Sequence, residues 1–173
     1  MKYWLKLVMR IIIALVIRPE WFYSFFIFPT MIIPFFVLNI FNYGTQFIWE
    51  THSLIANGTT LEFVRACIAT SAYYLLALLI LTTKDIGIKK TIKMFIVGSL
   101  LIFMMNVLRI TLLTLVVLNY GLDWFNAVHM IFWYVISTFY VFLVWIFLIR
   151  IYKVKNIPLY SDFKQLISMA RKK

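Results

Sequence analysis

Residues 92–118 read IKMFIVGSLLIFMMNVLRITLLTLVVL, a nearly continuous apolar run with Arg109 inside it. At about 1.5 Å per residue, a helix of this length crosses a hydrocarbon core of roughly 30 Å. Three further runs are long enough by the same measure: 21–41, interrupted only by Pro29 and Pro34, then 66–83 and 124–149. Prolines are tolerated in membrane helices because neighbouring groups re-satisfy the freed backbone. Composition points the same way. Of 173 residues, 64% are hydrophobic and 13% charged, more apolar surface than a soluble domain of this size can hide. Gly and Pro are scarce and no repeat or linker interrupts the chain. The expectation is one membrane domain over 1–173: all-α, a polytopic bundle of about four transmembrane helices.

Outside these runs lie two basic ends. In residues 1–18, Lys2, Lys6 and Arg10 recur every four residues, on one face of a helix, with Trp4, Leu7, Val8 and Ile11 elsewhere on its surface. That pattern predicts an amphipathic helix lying in the membrane interface. No small-residue cleavage site precedes Arg18-Pro19-Glu20, so a cleaved signal peptide is not expected. Residues 150–173 form a basic tail.

Charge placement orients the chain. Lys2, Lys6, Arg10 and Arg18 lead; Lys84, Lys89 and Lys90 fall between the second and third runs, with Lys93 at the near end of the third; seven more follow Ile149. These are fifteen of the seventeen Lys and Arg, and four spans would put all of them on one side. The positive-inside rule makes that side the cytoplasm, with both termini there. The net charge of +11 is thereby accounted for without nucleic acid, whose binders gather basic residues on a soluble stripe. The loop 42–65 and the turn 119–123 face outward, and Asn57-Gly58-Thr59 in the former is a glycosylation acceptor.

Three residues carry chemistry. Cys67 is the single cysteine, so no intramolecular disulfide forms, and it sits at the outer end of the second run. Arg109 lies in the outer half of the third; a guanidinium there is costly unless paired or hydrated. Asn106, one turn earlier, shares its face. His129 starts the fourth run, with Asn126 three residues before it as a partner for the ring. All three therefore fall in one leaflet. A thiol, a base and a fixed cation are the parts of a cysteine acyl-transfer site, the nucleophile being the thiolate. Alone, each residue has a plainer reading: a small apolar side chain, a snorkelling cation, a packed ring. His52, in the outer loop, reads as solvated. No metal or cofactor motif is present.

The order of Cys67 in Arg65-Ala66-Cys67-Ile68-Ala69-Thr70, of Arg109 in Asn106-Val107-Leu108-Arg109-Ile110, and of His129 in Ala127-Val128-His129 resembles the exosortase/archaeosortase family. The resemblance covers about residues 62–145. It implies a membrane cysteine peptidase or transpeptidase with Cys67, Arg109 and His129 catalytic. Its partner would be a membrane-tethered secreted protein whose C-terminal sorting signal is cut at the extracytoplasmic face. Arg65, Asn106 and Glu62 are candidate substrate or supporting contacts. Two departures stand out: Ile68 and Ala69 occupy positions where many bacterial members carry Ser or Thr and then Gly, and the chain lacks the extra helices of larger members. The rival readings are a non-catalytic membrane assembly subunit and a small transporter, in which Arg109 binds a partner, a lipid headgroup or an anion.

Overall fold

The computed structural model describes residues 16–83, 86–132 and 136–154, together with 8, 9, 12 and 13. Most of the expected interfacial helix at 1–18, Lys84 and the tail from 155 onward lie outside the described residues.

Helix α1 runs Pro19–Ile40. Arg18 is extended (φ −98°, ψ 136°), as a residue before proline must be, and Pro19 starts the helix where its missing N–H costs nothing. A three-stranded antiparallel sheet follows: β1 Gln46–Ile48, β2 Ser53–Ala56 and β3 Thr59–Glu62. A 3-10 turn, Arg65–Ile68, leads to α2, Thr70–Leu81. Helix α3 is Ile88–Tyr120, α4 Leu122–Ile131 and α5 Ser137–Ile151.

This overturns the all-α expectation of four membrane helices. The loop expected at 42–65 holds a sheet, so the fold is mixed α/β. Among the described residues only α1 and α3, with 22 and 33 residues, are long and apolar enough to cross a membrane. The run expected to span 66–83 yields a 12-residue helix because Ala66–Ile68 is spent on the 3-10 turn and Ala69 is left-handed (φ 56°, ψ 34°). At about 1.5 Å per residue α2 reaches roughly 18 Å, short of a hydrocarbon core. Within the run 124–149 the described helices are α4, of 10 residues, and the 15-residue α5.

The sheet has a sequence cause. Asn57-Gly58 lies between Ala56 and Thr59, which pair across the turn, and both turn residues have positive φ (47° and 76°). Asn-Gly is the favoured pair for such a two-residue hairpin, because its twist matches that of the strands. The register aligns Phe47, Leu54 and Leu61 across the three strands. That row packs with Ile27, Met31, Leu38, Phe63, Ile68 and Ile110 in one apolar cluster, tying the sheet to α1, the turn and α3.

A second cluster joins the other end of the helices. Tyr73, Leu76 and Ile80 of α2 meet Met94 and Ile102 of α3 and Val141, Val144 and Leu148 of α5. Phe26 of α1 stacks on Tyr73, centroids 4.0 Å apart and rings parallel within 1°. Gly98 lets these helices close in: a Cβ there would lie 2.7 Å from Leu76 Cδ2 and 2.8 Å from Leu148 Cδ1. α1 and α3 thus run from this end toward the sheet, while α2 and α5 run the other way.

Candidate active site

The site is assembled where the 3-10 turn meets α3. Asn106 and Arg109 lie one turn apart on α3, only 4% and 8% exposed. The Asn106 amide Nδ2 donates to the Cys67 carbonyl at 2.8 Å. Arg109 Nη2 donates to the carbonyls of Ala66 at 3.1 Å and Cys67 at 3.3 Å. Its Nη1 donates to Ser137 Oγ at 3.4 Å, and that hydroxyl donates on to the Phe132 carbonyl at 2.7 Å. The Ala66 carbonyl already accepts the turn's own bond from Ala69 N–H at 3.4 Å, and α3 adds side-chain donors to it and to the Cys67 carbonyl. The polar side chains of α3 therefore hold the backbone that carries the thiol.

Cys67 itself is half-buried and packs against the apolar cluster that includes Ile27, Leu54 and Ile68. Burial pushes its thiol above the usual thiol range; a backbone hydrogen bond at Val64 and the Arg109 charge pull the other way and do not offset it. The free protein at neutral pH therefore holds a protonated thiol rather than the thiolate expected from an adjacent cation. His129, on α4, is half-buried and its ring lies 5.3 Å from that of Phe125. Burial first, and the Arg109 charge second, hold its pKa below that of a free imidazole, so the ring is neutral at pH 7 and able to accept a proton.

Arg109 is thus the common neighbour: its hydrogen bonds reach the Cys67 segment and its charge is felt by His129. Asn106 joins it at the Cys67 carbonyl. Arg65 and Glu62 are exposed, and Asn126 is exposed on α4. His52, expected to be solvated, is packed instead: its ring lies 5.4 Å from Trp49 and 6.4 Å from Tyr23, edge-on to both. Sequence reasoning missed Ser137. The signal was present as Ser137-Thr138, a polar pair within the apolar run 124–149.

Two cavities meet Arg109. One of about 30 Å³ is bounded by Asn106, Arg109, Ser137 and Tyr140; a larger one of about 300 Å³ lies between α2 and α5, with Arg109 and Ser137 again in its wall. Among the described residues no group of three or more His, Cys, Asp or Glu is placed to hold a metal ion. No family model matches the chain, and no curated protein or solved structure is found to be similar to it.

Proposed function

We propose that the chain is a membrane-embedded cysteine peptidase or transpeptidase, acting at the extracytoplasmic face on a membrane-tethered peptide. The observation that carries this reading is the position of Arg109, which is hydrogen-bonded to the turn bearing Cys67 and electrostatically coupled to His129 on a separate helix. The resemblance of the three short motifs to exosortases and archaeosortases supports it. So does Ala69, which adopts a left-handed backbone at the position where many of those proteins carry glycine.

In this mechanism neutral His129 takes the thiol proton as Cys67 Sγ attacks a peptide carbonyl. The C–N bond then breaks, and the proton passes to the leaving amine. Arg109 offsets the negative charge that develops on sulfur and on the carbonyl oxygen. Water, or an acceptor amine or hydroxyl, resolves the thioester and regenerates the thiol. Arg18, Lys89, Lys90, Lys93, Arg150 and Lys153 stand at or beside the ends of α1, α3 and α5 that share the aromatic cluster, which supports a reading with that end cytoplasmic and the sheet end external.

A specific observation favours a second reading. Arg109 and Asn106 grip the Cys67 carbonyl, not its sulfur, as in a structural clamp of a non-catalytic membrane subunit. One experiment separates the two. A secreted reporter with a C-terminal sorting motif, membrane helix and basic cluster is co-expressed with each variant, and unprocessed reporter is measured by blotting. Cys67→Ala should abolish processing, and Arg109→Lys should do nearly the same, because an ammonium cannot reproduce the planar fork. Full processing by a stably expressed Cys67→Ala protein refutes the acyl-transfer reading.

A further inference from the structure

The sheet ends in an open edge at β3. Its register with β2 fixes which backbone groups face outward. The Phe63 N–H donates to the His52 carbonyl at 2.9 Å, so Phe63 and, by alternation, Leu61 and Thr59 turn their N–H and C=O toward β2. Thr60 and Glu62 turn theirs away, and no hydrogen bond among the described residues meets those groups. Both side chains are exposed, whereas Leu61 packs into the apolar cluster. An unsatisfied edge cannot face hydrocarbon, so a row lined by Thr60 and Glu62 faces water or another chain. A free edge of this kind is a template for an added strand.

The course of β3 identifies that strand. Beyond Glu62 the chain passes through Phe63 and Val64 into the 3-10 turn that bears Cys67. At the other end, the Asn57 N–H donates to the Tyr43 carbonyl at 3.1 Å, just past the end of α1. His52, bonded to Phe63, has its ring 6.4 Å from that of Tyr23 near the start of α1. β3 therefore runs back along α1, from the outside inward in the orientation proposed above. A secreted protein tethered by a C-terminal helix runs the same way. We infer that an extended segment of the substrate adds to this edge as a fourth strand, parallel to β3, and so delivers its peptide bond to Cys67. In that pairing one substrate residue donates its N–H to the Thr60 carbonyl and accepts from the Glu62 N–H. At about 3.3 Å per extended residue and about 2 Å per residue of 3-10 turn, Cys67 lies at most roughly 13 Å beyond Glu62. The attacked carbonyl is then about four residues C-terminal to the residue beside Glu62. Backbone pairing accepts many sequences; the Glu62 carboxylate on the same face favours Lys or Arg beside it and disfavours Glu. The occupant rests on the acyl-transfer reading; the open edge does not.

The test maps the register by cross-linking. Cys67→Ala removes the single native thiol, and Thr60→Cys or Glu62→Cys is added to it. The sorting-signal reporter carries one cysteine at a time through the segment before its membrane helix, and membranes are oxidised with copper phenanthroline. Adjacent strands, about 4.8 Å apart, are within disulfide reach. Each variant should link to one reporter position, with the Glu62→Cys partner two residues C-terminal to the Thr60→Cys partner. Thr60→Pro removes an N–H that faces away from β2, so the protein should keep its unfolding midpoint while linkage through Glu62→Cys falls about tenfold; Thr60→Val should leave linkage unchanged. With Thr60→Cys in place, Glu62→Lys should lower linkage to a reporter bearing Lys beside it about threefold, and Glu in the reporter should restore it. The inference is overturned by linkage spread over all positions or absent from all, by partners that shift in the opposite direction, by links between two copies of this chain in place of the reporter, or by Thr60→Pro that unfolds the protein or leaves linkage intact. Because the Cys67→Ala background cleaves nothing, these outcomes are independent of the processing assay that tests acyl transfer.

Discussion

The two ends of the helical body are held together in different ways. At the end where α1 and α3 begin, Phe22, Phe26, Tyr73, Leu76, Met94 and Leu148 interlock. At the sheet end, α3 reaches across with Asn106 and Arg109 to bind the carbonyls of Ala66 and Cys67. The first arrangement needs only shape and apolar area, and a side chain of similar volume can replace another. The second depends on donors at fixed positions: the Cys67 carbonyl accepts from both Asn106 and Arg109, and losing either weakens the hold on the turn. The contrast teaches where chemistry can reside: packing fixes the helices, and the polar end holds the thiol, the cation and the imidazole.

The contrast can be broken by mutation. Leu76→Ala, fully buried beside Gly98, should cost about 3 kcal/mol in reversible unfolding while the alkylation rate of Cys67 stays within twofold. Asn106→Ala should cost less, about 1–2 kcal/mol, yet change Cys67 alkylation severalfold, because the carbonyl of that very residue loses a donor. If both variants perturb the thiol equally, the two ends are not separable.

Two smaller effects sharpen the picture. Ala69→Gly should stabilise the fold by about 1 kcal/mol, since glycine adopts the left-handed backbone without the Cβ clash; a loss of stability would mean that the Ala69 methyl contributes more in packing. The thiol supplies a pH signature. With its pKa above the usual range, alkylation by iodoacetamide at pH 7 should be slower than for a free cysteine and should climb steadily through pH 9. The sign is set by burial: the folded state holds its proton to higher pH than the unfolded one, so stability falls as pH rises past the unfolded thiol pKa. A thiol already fully reactive at pH 7 would contradict this account.

Much of the sheet end was written in the sequence but not in one language. The hydropathy of 21–41 and 92–118 locates α1 and α3, whereas the equally apolar runs 66–83 and 124–149 give no described helix of spanning length. Asn57-Gly58, flanked by Leu54, Ala56, Leu61 and Phe63, was a hairpin signal, overshadowed by its second meaning as a glycosylation acceptor. The start of α2 was not readable from hydropathy, because Ala66, Cys67, Ile68 and Ala69 are as apolar as the helix that follows. A left-handed alanine carries no mark in composition; only the surrounding contacts force it.

By itself the sequence located two long apolar helices with basic starts, among four expected spans, and showed that a cysteine, an asparagine–arginine pair and a histidine occur in that order. Those properties depend on residues near one another in the chain or on composition. Only the tertiary structure decided what Arg109 touches, that Ser137 shares it, that the thiol is pushed toward its protonated form, and that a cavity opens beside it. Each of these depends on groups from three or four elements meeting at hydrogen-bonding distance, and periodicity along a chain carries no information about such meetings.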